Sequence, residues 1–228
     1  MFSQLGPSLN STNTDGVKPL SECRLYAFVD SAYLGSKDPV EVARRLCDGG
    51  ADLIQLRAKD WSSERILACA RNLVPVTRSA GVRLVINDHL NIAREVGAEV
   101  CHLGQEDFFD EGHLRCSDLN LLGPRLELGL STHAPEQAER AMNAGPDYIA
   151  IGPIFPTGTK PGRPAVTLDY VRWAAAHVTL PWFAIGGINL QNINQVLEAG
   201  ARRICVVSAI LQSPDITQAC RQFRACLD

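Results

Sequence analysis

No stretch of this 228-residue chain approaches the roughly 18 consecutive apolar residues that a membrane-spanning helix needs, although 46% of its residues are hydrophobic. The expectation is therefore of a protein with no membrane partner. An excess of one charge is also missing. The 22 basic and 25 acidic residues leave a formal net charge of −3, and no basic stripe or aromatic platform interrupts that balance, so nucleic acid is not an expected partner. Any anionic ligand must be held by local cations. Cys-x-x-Cys pairs are absent too. The eight cysteines, at 23, 47, 69, 101, 116, 205, 220 and 226, are scattered, mostly in apolar periodic segments. They read as small core residues in a reducing, cytoplasmic setting, rather than as disulfides or a metal site.

Residues 1–21 contain Ser, Asn, Thr and Gly but no arginine and no apolar stretch of the kind a signal peptide carries. They read as a disordered tail ahead of a single domain over 22–228. A domain of that size is long enough to bury roughly 70% or more of its unfolded surface.

From Arg24 onward, short apolar or β-branched runs alternate with longer segments of helical period. Strands are expected at Leu25–Val29, Asp52–Leu56, Arg83–Ile86, Glu99–Leu103, Glu127–Leu130, Tyr148–Ile151, Trp182–Ile185 and Ile204–Val207. Helices are expected between them, for example over Pro39–Asp48, Ser62–Ser79 and Pro135–Asn143. Glycines at 50, 97, 145 and 200 stand where a left-handed residue ends a helix before the next strand. Eight such units close most naturally into an α/β fold of the (β/α)8 TIM barrel type. An open doubly wound sheet would carry a glycine fingerprint after its first strand, where this chain has Asp30-Ser31-Ala32-Tyr33.

A barrel of this kind places its active site at the carboxyl ends of the strands. Polar residues and glycines collect there. The second strand runs into Gln55-Leu56-Arg57-Ala58-Lys59, the third into Asn87-Asp88, the fourth into Gly104-Gln105-Glu106-Asp107, and the fifth into Ser131-Thr132-His133. The sixth is followed by Gly152-Pro153-Ile154-Phe155-Pro156-Thr157-Gly158-Thr159-Lys160-Pro161-Gly162, which has the glycines, hydroxyls and lysine of a phosphate-binding loop. The seventh and eighth strands deliver Gly186-Gly187 and Ser208, the usual place of a phosphate site in this architecture.

Arg57 and Lys59, two apart on an extended segment, point to one side and can grip a polyanion together with Lys160. Asp88 and Asp107 follow adjacent strands, and two carboxylates placed there suit Mg2+. Helix N-capping is their alternative reading. His102, inside an apolar strand, reads as a satisfied core residue. The rim thus offers a pyrophosphate site and a phosphomonoester site.

The stretches QLRAKD (55–60), IND (86–88), HLGQED (102–107), GLSTH (129–133), GPIFPTGTKPG (152–162), AIGGI (184–188) and VVSAI (206–210) together resemble the thiamine phosphate synthase family. The resemblance covers the chain from about residue 24 onward and leaves the tail outside. It implies a (β/α)8 barrel that condenses hydroxymethylpyrimidine diphosphate with a thiazole phosphate, or its carboxylated form, to give thiamine phosphate and pyrophosphate. It also implies that Gln55, Arg57, Lys59, Asn87, Ser131 and Lys160 contact the pyrophosphate, that Asp88 and Asp107 hold Mg2+, and that Thr157, Thr159, Gly187 and Ser208 hold the thiazole phosphate. Arg57, Lys59, Lys160 and Ser131 would be the catalytic groups. Two other readings stay open on the sequence: a thiazole tautomerase, and a noncatalytic thiamine-phosphate-binding protein. Small-molecule substrates are the expected partners, and the sequence leaves homo-oligomer formation open.

Overall fold

Eight short parallel strands hydrogen-bond in the order β1 to β8, and β8 returns to β1 through Leu25↔Ile204 and Tyr26↔Cys205, closing a barrel. The computed structural model describes residues 16–119, 126–156 and 165–228. In chain order the elements are β1 (Leu25–Asp30), α1 (Ser31–Leu34), α2 (Pro39–Asp48), β2 (Leu53–Arg57), α3 (Ser63–Ser79), β3 (Arg83–Asn87), α4 (Leu90–Val96), β4 (Val100–Leu103) and α5 (Gln105–Asp110). They continue with β5 (Glu127–Thr132), α6 (Pro135–Ala144), β6 (Tyr148–Ile151), α7 (Thr167–His177), β7 (Trp182–Ile185), α8 (Ile193–Glu198), β8 (Ile204–Cys205), α9 (Ser208–Leu211) and α10 (Ile216–Ala225). This is the (β/α)8 barrel that the sequence pattern implies.

Local chemistry explains why the helices begin and end where they do. Asp38 accepts from the Val40 amide with Pro39 at the first position of α2, and Ser62 accepts from the Arg65 amide at the start of α3. Left-handed Gly97 and Gly145 end α4 and α6, each just before the turn into the next strand. Three features depart from an even βα repeat, one of them the pair of helices, α9 and α10, that follows β8. Asp30 caps an extra turn, α1, that precedes α2. After β4 the helix is only Gln105–Asp110, followed by a 3-10 turn at Cys116–Leu119.

Strand period divides the side chains into two sets. On β1, Leu25, Ala27 and Val29 alternate with Tyr26, Phe28 and Asp30, and all six are buried, one set against the helices and the other inside the barrel. The cysteines follow the core rather than any pairing: all eight are free thiols, and Cys23, Cys101, Cys116, Cys205 and Cys220 are buried. Burial pushes the Cys23, Cys101 and Cys220 thiols up to about 12, which leaves them protonated and inert at neutral pH. Cys226 is exposed. Among the described residues no helix is long and apolar enough to cross a membrane.

The amino-terminal end of the barrel is closed by charges. Asp52, 8% exposed, sits between Lys18 Nζ at 2.7 Å and Arg224 Nη1 at 2.8 Å, and it accepts from the Arg24 and Leu25 amides. Arg83 pairs with Glu127 and donates to the Lys18 carbonyl at 2.6 Å. Of the span read as a tail, residues 1–15 lie outside the described residues. Residues 18–21 are packed: Lys18 completes the Asp52 cluster, Leu20 is buried in the core, and the Ser21 carbonyl accepts from Arg203.

Burial alone would raise the Asp52 carboxyl, but the Lys18 hydrogen bond, the Leu25 and Arg24 amides and Arg224 outweigh it and hold the carboxyl below its ordinary value. A carboxyl lowered on folding contributes stability that is complete above its unfolded value and is lost as pH falls through the folded one. Asp52→Asn is therefore expected to lower stability by about 3 kcal/mol at pH 7, with a loss that shrinks as the pH is taken down into the acid range where the wild-type carboxyl protonates. Thermal denaturation of both proteins across that pH range measures it.

Candidate functional site

A cavity of about 450 Å3 opens at the carboxyl ends of the strands, lined by residues from every strand of the barrel. Its floor and its rim have different chemistry.

The floor is aromatic. Tyr26 stacks on Phe28 with ring centroids 5.1 Å apart, and Tyr26 and Tyr148 both meet Phe183 edge-on at 5.4 Å. Tyr148 can lie across β5 because its neighbour there is Gly129, where any Cβ would overlap the phenol ring. The polar tips form one chain. Gln55 Nε2 donates to the Tyr26 hydroxyl at 2.5 Å, the two phenols are 3.1 Å apart, and the Tyr148 hydroxyl lies 2.9 Å from His102 Nδ1. Protons assigned in one direction satisfy every link, with Tyr26 donating to Tyr148 and Tyr148 to the imidazole. Burial raises the pKa of both phenols well above the ordinary tyrosine value, so they remain neutral donors.

Two expectations change here. His102 is hydrogen-bonded as a satisfied histidine should be, yet it lines the cavity instead of sitting in the core. Gln55, expected beside a pyrophosphate, is 2% exposed and tied to Tyr26, which puts it on the floor. Tyr26, Phe28 and Cys205, which line the cavity, and Tyr148, buried beneath it, carry no motif that marks them as site residues in the sequence. Strand parity offers a signal for Tyr148 alone, which lies an even number of residues from the recognised rim position Gly152.

The rim is charged. Arg57, at the end of β2, is 13% exposed and donates through Nη1 to Asp30 Oδ2 at 2.9 Å. Lys59, two residues on, is 55% exposed and lies 3.3 Å from Asp88 Oδ2. Asn87 Nδ2 donates to the same Asp88 oxygen at 2.7 Å, and the Asp88 amide donates to the His102 carbonyl at 2.9 Å. Asp88 takes a positive φ of 64°, a conformation that costs energy outside glycine and collects at functional sites.

The capping reading of the two aspartates fails on position. His89, not Asp88, precedes α4, and Gly104, not Asp107, precedes α5. Asp107 lies in the first turn of α5 and folds back over Gly104, where a Cβ would stand 2.5 Å from Asp107 Oδ2. Both aspartates line the cavity.

The remaining wall is built by β5 to β8. Ser131 is buried opposite Ala150 and lines the cavity. Behind it the Tyr170 hydroxyl donates to Thr132 Oγ1 at 2.8 Å, Thr132 Oγ1 donates to the Ala150 carbonyl at 3.0 Å, and His133 Nδ1 contacts the Gly152 carbonyl. The Gly152–Pro153 bond is cis. Gly186 and Gly187 have φ of 105° and 66°, and a Cβ on either would strike Pro153 or Phe155 at 2.5 and 2.7 Å. The glycine pair thus serves the close approach of two loops as well as lining the cavity beside Ser208. Thr157, Thr159 and Lys160 lie outside the described residues.

A family model described as thiamine monophosphate synthase matches residues 25–210, most of the barrel. The chain belongs to the thiamine monophosphate synthase family. Among curated relatives, the thiamine-phosphate synthase of Thermus thermophilus is 49% identical over 79% of this chain and 84% of that protein. That of Acidothermus cellulolyticus is 43% identical over 90% of this chain and 95% of that protein. Among solved structures, thiamine phosphate pyrophosphorylase from Pyrococcus furiosus superposes with a TM-score of 0.79 at 29% identity, covering 91% of this chain and 96% of that one. Similarity to 3-hexulose-6-phosphate synthase, at 17% identity and a TM-score of 0.59, shows the shared barrel alone.

The neutral phenols of this synthase-family barrel couple the floor to stability in alkali. A phenol whose folded pKa is raised stabilises fully below the unfolded value and progressively less above it. Tyr26 and Tyr148 are therefore expected to ionise together with unfolding rather than before it. Phenolate absorbance followed alongside far-UV circular dichroism checks this, and the two traces should rise and fall at one pH.

Proposed function

We propose that this chain condenses an aminopyrimidine-methyl diphosphate with a thiazole phosphate to give thiamine phosphate and pyrophosphate. The observation that carries the reading is a single cavity with an aromatic floor beneath a rim where Arg57 and Lys59 meet Asp88 and Asp107. A planar heteroaromatic ring suits the floor, with Gln55, Tyr26 and His102 as its polar contacts. A diphosphate suits the rim.

The chemistry follows from that division. The C–O bond to the diphosphate breaks with both electrons leaving on pyrophosphate, and the exocyclic methylene carbon is left electron-poor and conjugated to the ring. The thiazole nitrogen then forms the new C–N bond at that carbon. Arg57 and Lys59 hold the departing anion, while the aromatic floor supplies polarisable surroundings with little water for the positive charge. No general base is required, and the buried thiols, held protonated, make poor nucleophiles.

Asp88 and Asp107 form an all-oxygen pair that fits Mg2+. Among the described residues no group of three His, Cys, Asp or Glu side chains could hold a metal alone, so the remaining ligands would be water and substrate oxygens, as this ion prefers. Bound there, Mg2+ would supply charge neutralisation for the leaving group. Lys59 at 3.3 Å already balances Asp88, and a bound diphosphate would draw the lysine away. Asn87 and Ser131 complete the diphosphate side. Gly187 and Ser208 suit the thiazole phosphate, and we assign Thr157 and Thr159 to that phosphate and Lys160 to the diphosphate on the family pattern. A cytoplasmic location follows from the same reading.

Pyrophosphate release from protein given both substrates, with and without Mg2+, tests the assignment. Release that needs both substrates and the metal, with equal thiamine phosphate, is expected. Tight product binding without turnover would point instead to a binding protein, and thiazole isomerisation without pyrophosphate to a tautomerase.

The close fit at Gly104 gives a second test. Gly104→Ala is expected to displace the Asp107 carboxylate and raise the Mg2+ concentration for half-maximal rate by about tenfold or more, with the circular dichroism spectrum unchanged. An unaltered Mg2+ dependence would detach Asp107 from the metal.

A further inference from the structure

Asp30 is a fully buried carboxylate that the assignments above leave without a part in the reaction. It ends β1, it is 0% exposed, and it is directly opposite Arg57 in the β1–β2 register. Its Oδ1 accepts from the Ala32 amide at 3.0 Å and its Oδ2 accepts from Arg57 Nη1 at 2.9 Å. A carboxylate taken wholly out of water costs several kcal/mol unless its partners compensate. Capping the four-residue α1 does not require a charge, since Ser, Thr or Asn would cap as well. Among the described residues the charge has one cationic counterpart, the Arg57 guanidinium.

We infer that Asp30 is a positioning residue that fixes Arg57 as the preformed half of the diphosphate clamp. This rests on the reading of Arg57 as a diphosphate ligand. The two rim cations differ in a way that supports it. Lys59 is largely exposed, on a flexible stem, and its partner Asp88 is itself partly exposed, so it moves to meet a ligand. Arg57 is nearly buried and anchored across the strand ladder, and its salt bridge to Asp30 spends one of its five N–H donors. A guanidinium held before the ligand arrives costs no reordering when charge develops on the leaving group. Asp30 acts through Arg57 and touches no substrate atom.

The test is the affinity of inorganic pyrophosphate, measured calorimetrically with Mg2+ present, for the wild type, Asp30→Asn, Arg57→Ala and the double variant. Asparagine keeps an acceptor for the Ala32 amide and removes the charge that holds the guanidinium. Arg57→Ala is expected to weaken pyrophosphate by about a hundredfold and Asp30→Asn by about tenfold. The double variant should bind no more weakly than Arg57→Ala alone, and the KM for the thiazole phosphate should stay within about twofold in Asp30→Asn. Wild-type pyrophosphate affinity in Asp30→Asn overturns the inference. So does a further tenfold loss in the Arg57→Ala background, which would mark a merely structural role. Wild-type affinity in Arg57→Ala would instead overturn the reading of Arg57 itself. If Asp30→Asn does not fold, Asp30→Ser, which also caps but cannot reach Arg57, is measured in the same cycle.

Discussion

Closure of eight parallel strands, with side chains alternating at every residue, is the constraint on which the rest of this molecule depends. A closed barrel has no edge strands, and half of the residues on each strand must face inward. The inward set near the amino-terminal end is filled and tied by Arg83 and Glu127. Toward the carboxyl ends it opens into the cavity. The same alternation that buries Leu25, Ala27 and Val29 beneath the helices brings Tyr26, Phe28 and Asp30 inside. Stability and site are therefore two faces of the same strands, and a register shift of one residue would exchange them.

Electrostatics in the site are arranged so that little charge is left uncompensated before a ligand binds. Arg57 is balanced by Asp30 and Lys59 by Asp88, while the buried phenols remain neutral. The two pairs are not equivalent. The Asp30–Arg57 pair is buried and rigid, whereas the Lys59–Asp88 pair is open to solvent and weak in water. A polyanion that brings its own cation can exchange partners with the second pair, its phosphate oxygens taking the lysine and its metal taking the carboxylate. That exchange costs little because each partner goes from one opposite charge to another.

Much of this was legible in the sequence because a repeated βα unit announces itself twice, in apolar strands and in the glycines that stop the helices. Three strands, at Tyr148–Ile151, Trp182–Ile185 and within Glu99–Leu103, fall where the apolar runs stand, and α2 and α3 begin at their Pro39 and Ser62 signals. The rim was legible for a related reason: a polar residue directly after a buried strand has few structural uses. The floor was not. Strands covered on both faces read as continuous apolar runs, so Tyr26 and Tyr148 look like ordinary core residues until the barrel supplies an inside. Lys18 and Leu20 were hidden by the polar composition around them, since three or four anchored residues leave no period to detect.

Asp30 shows where parity reasoning reaches further than motif reasoning. By position it looks like the first residue of a loop and a helix cap, and it is a cap. Its place two residues after Phe28 nevertheless puts it in the inward set, and the β1–β2 register puts it beside Arg57. An aspartate in that set, next to an arginine that ends the neighbouring strand, has no inexpensive structural reason to be charged. Substrate-contacting residues can be recognised by their chemistry alone, but the residues that hold them in place are recognised by a charge whose burial makes sense only when its partner has work to do.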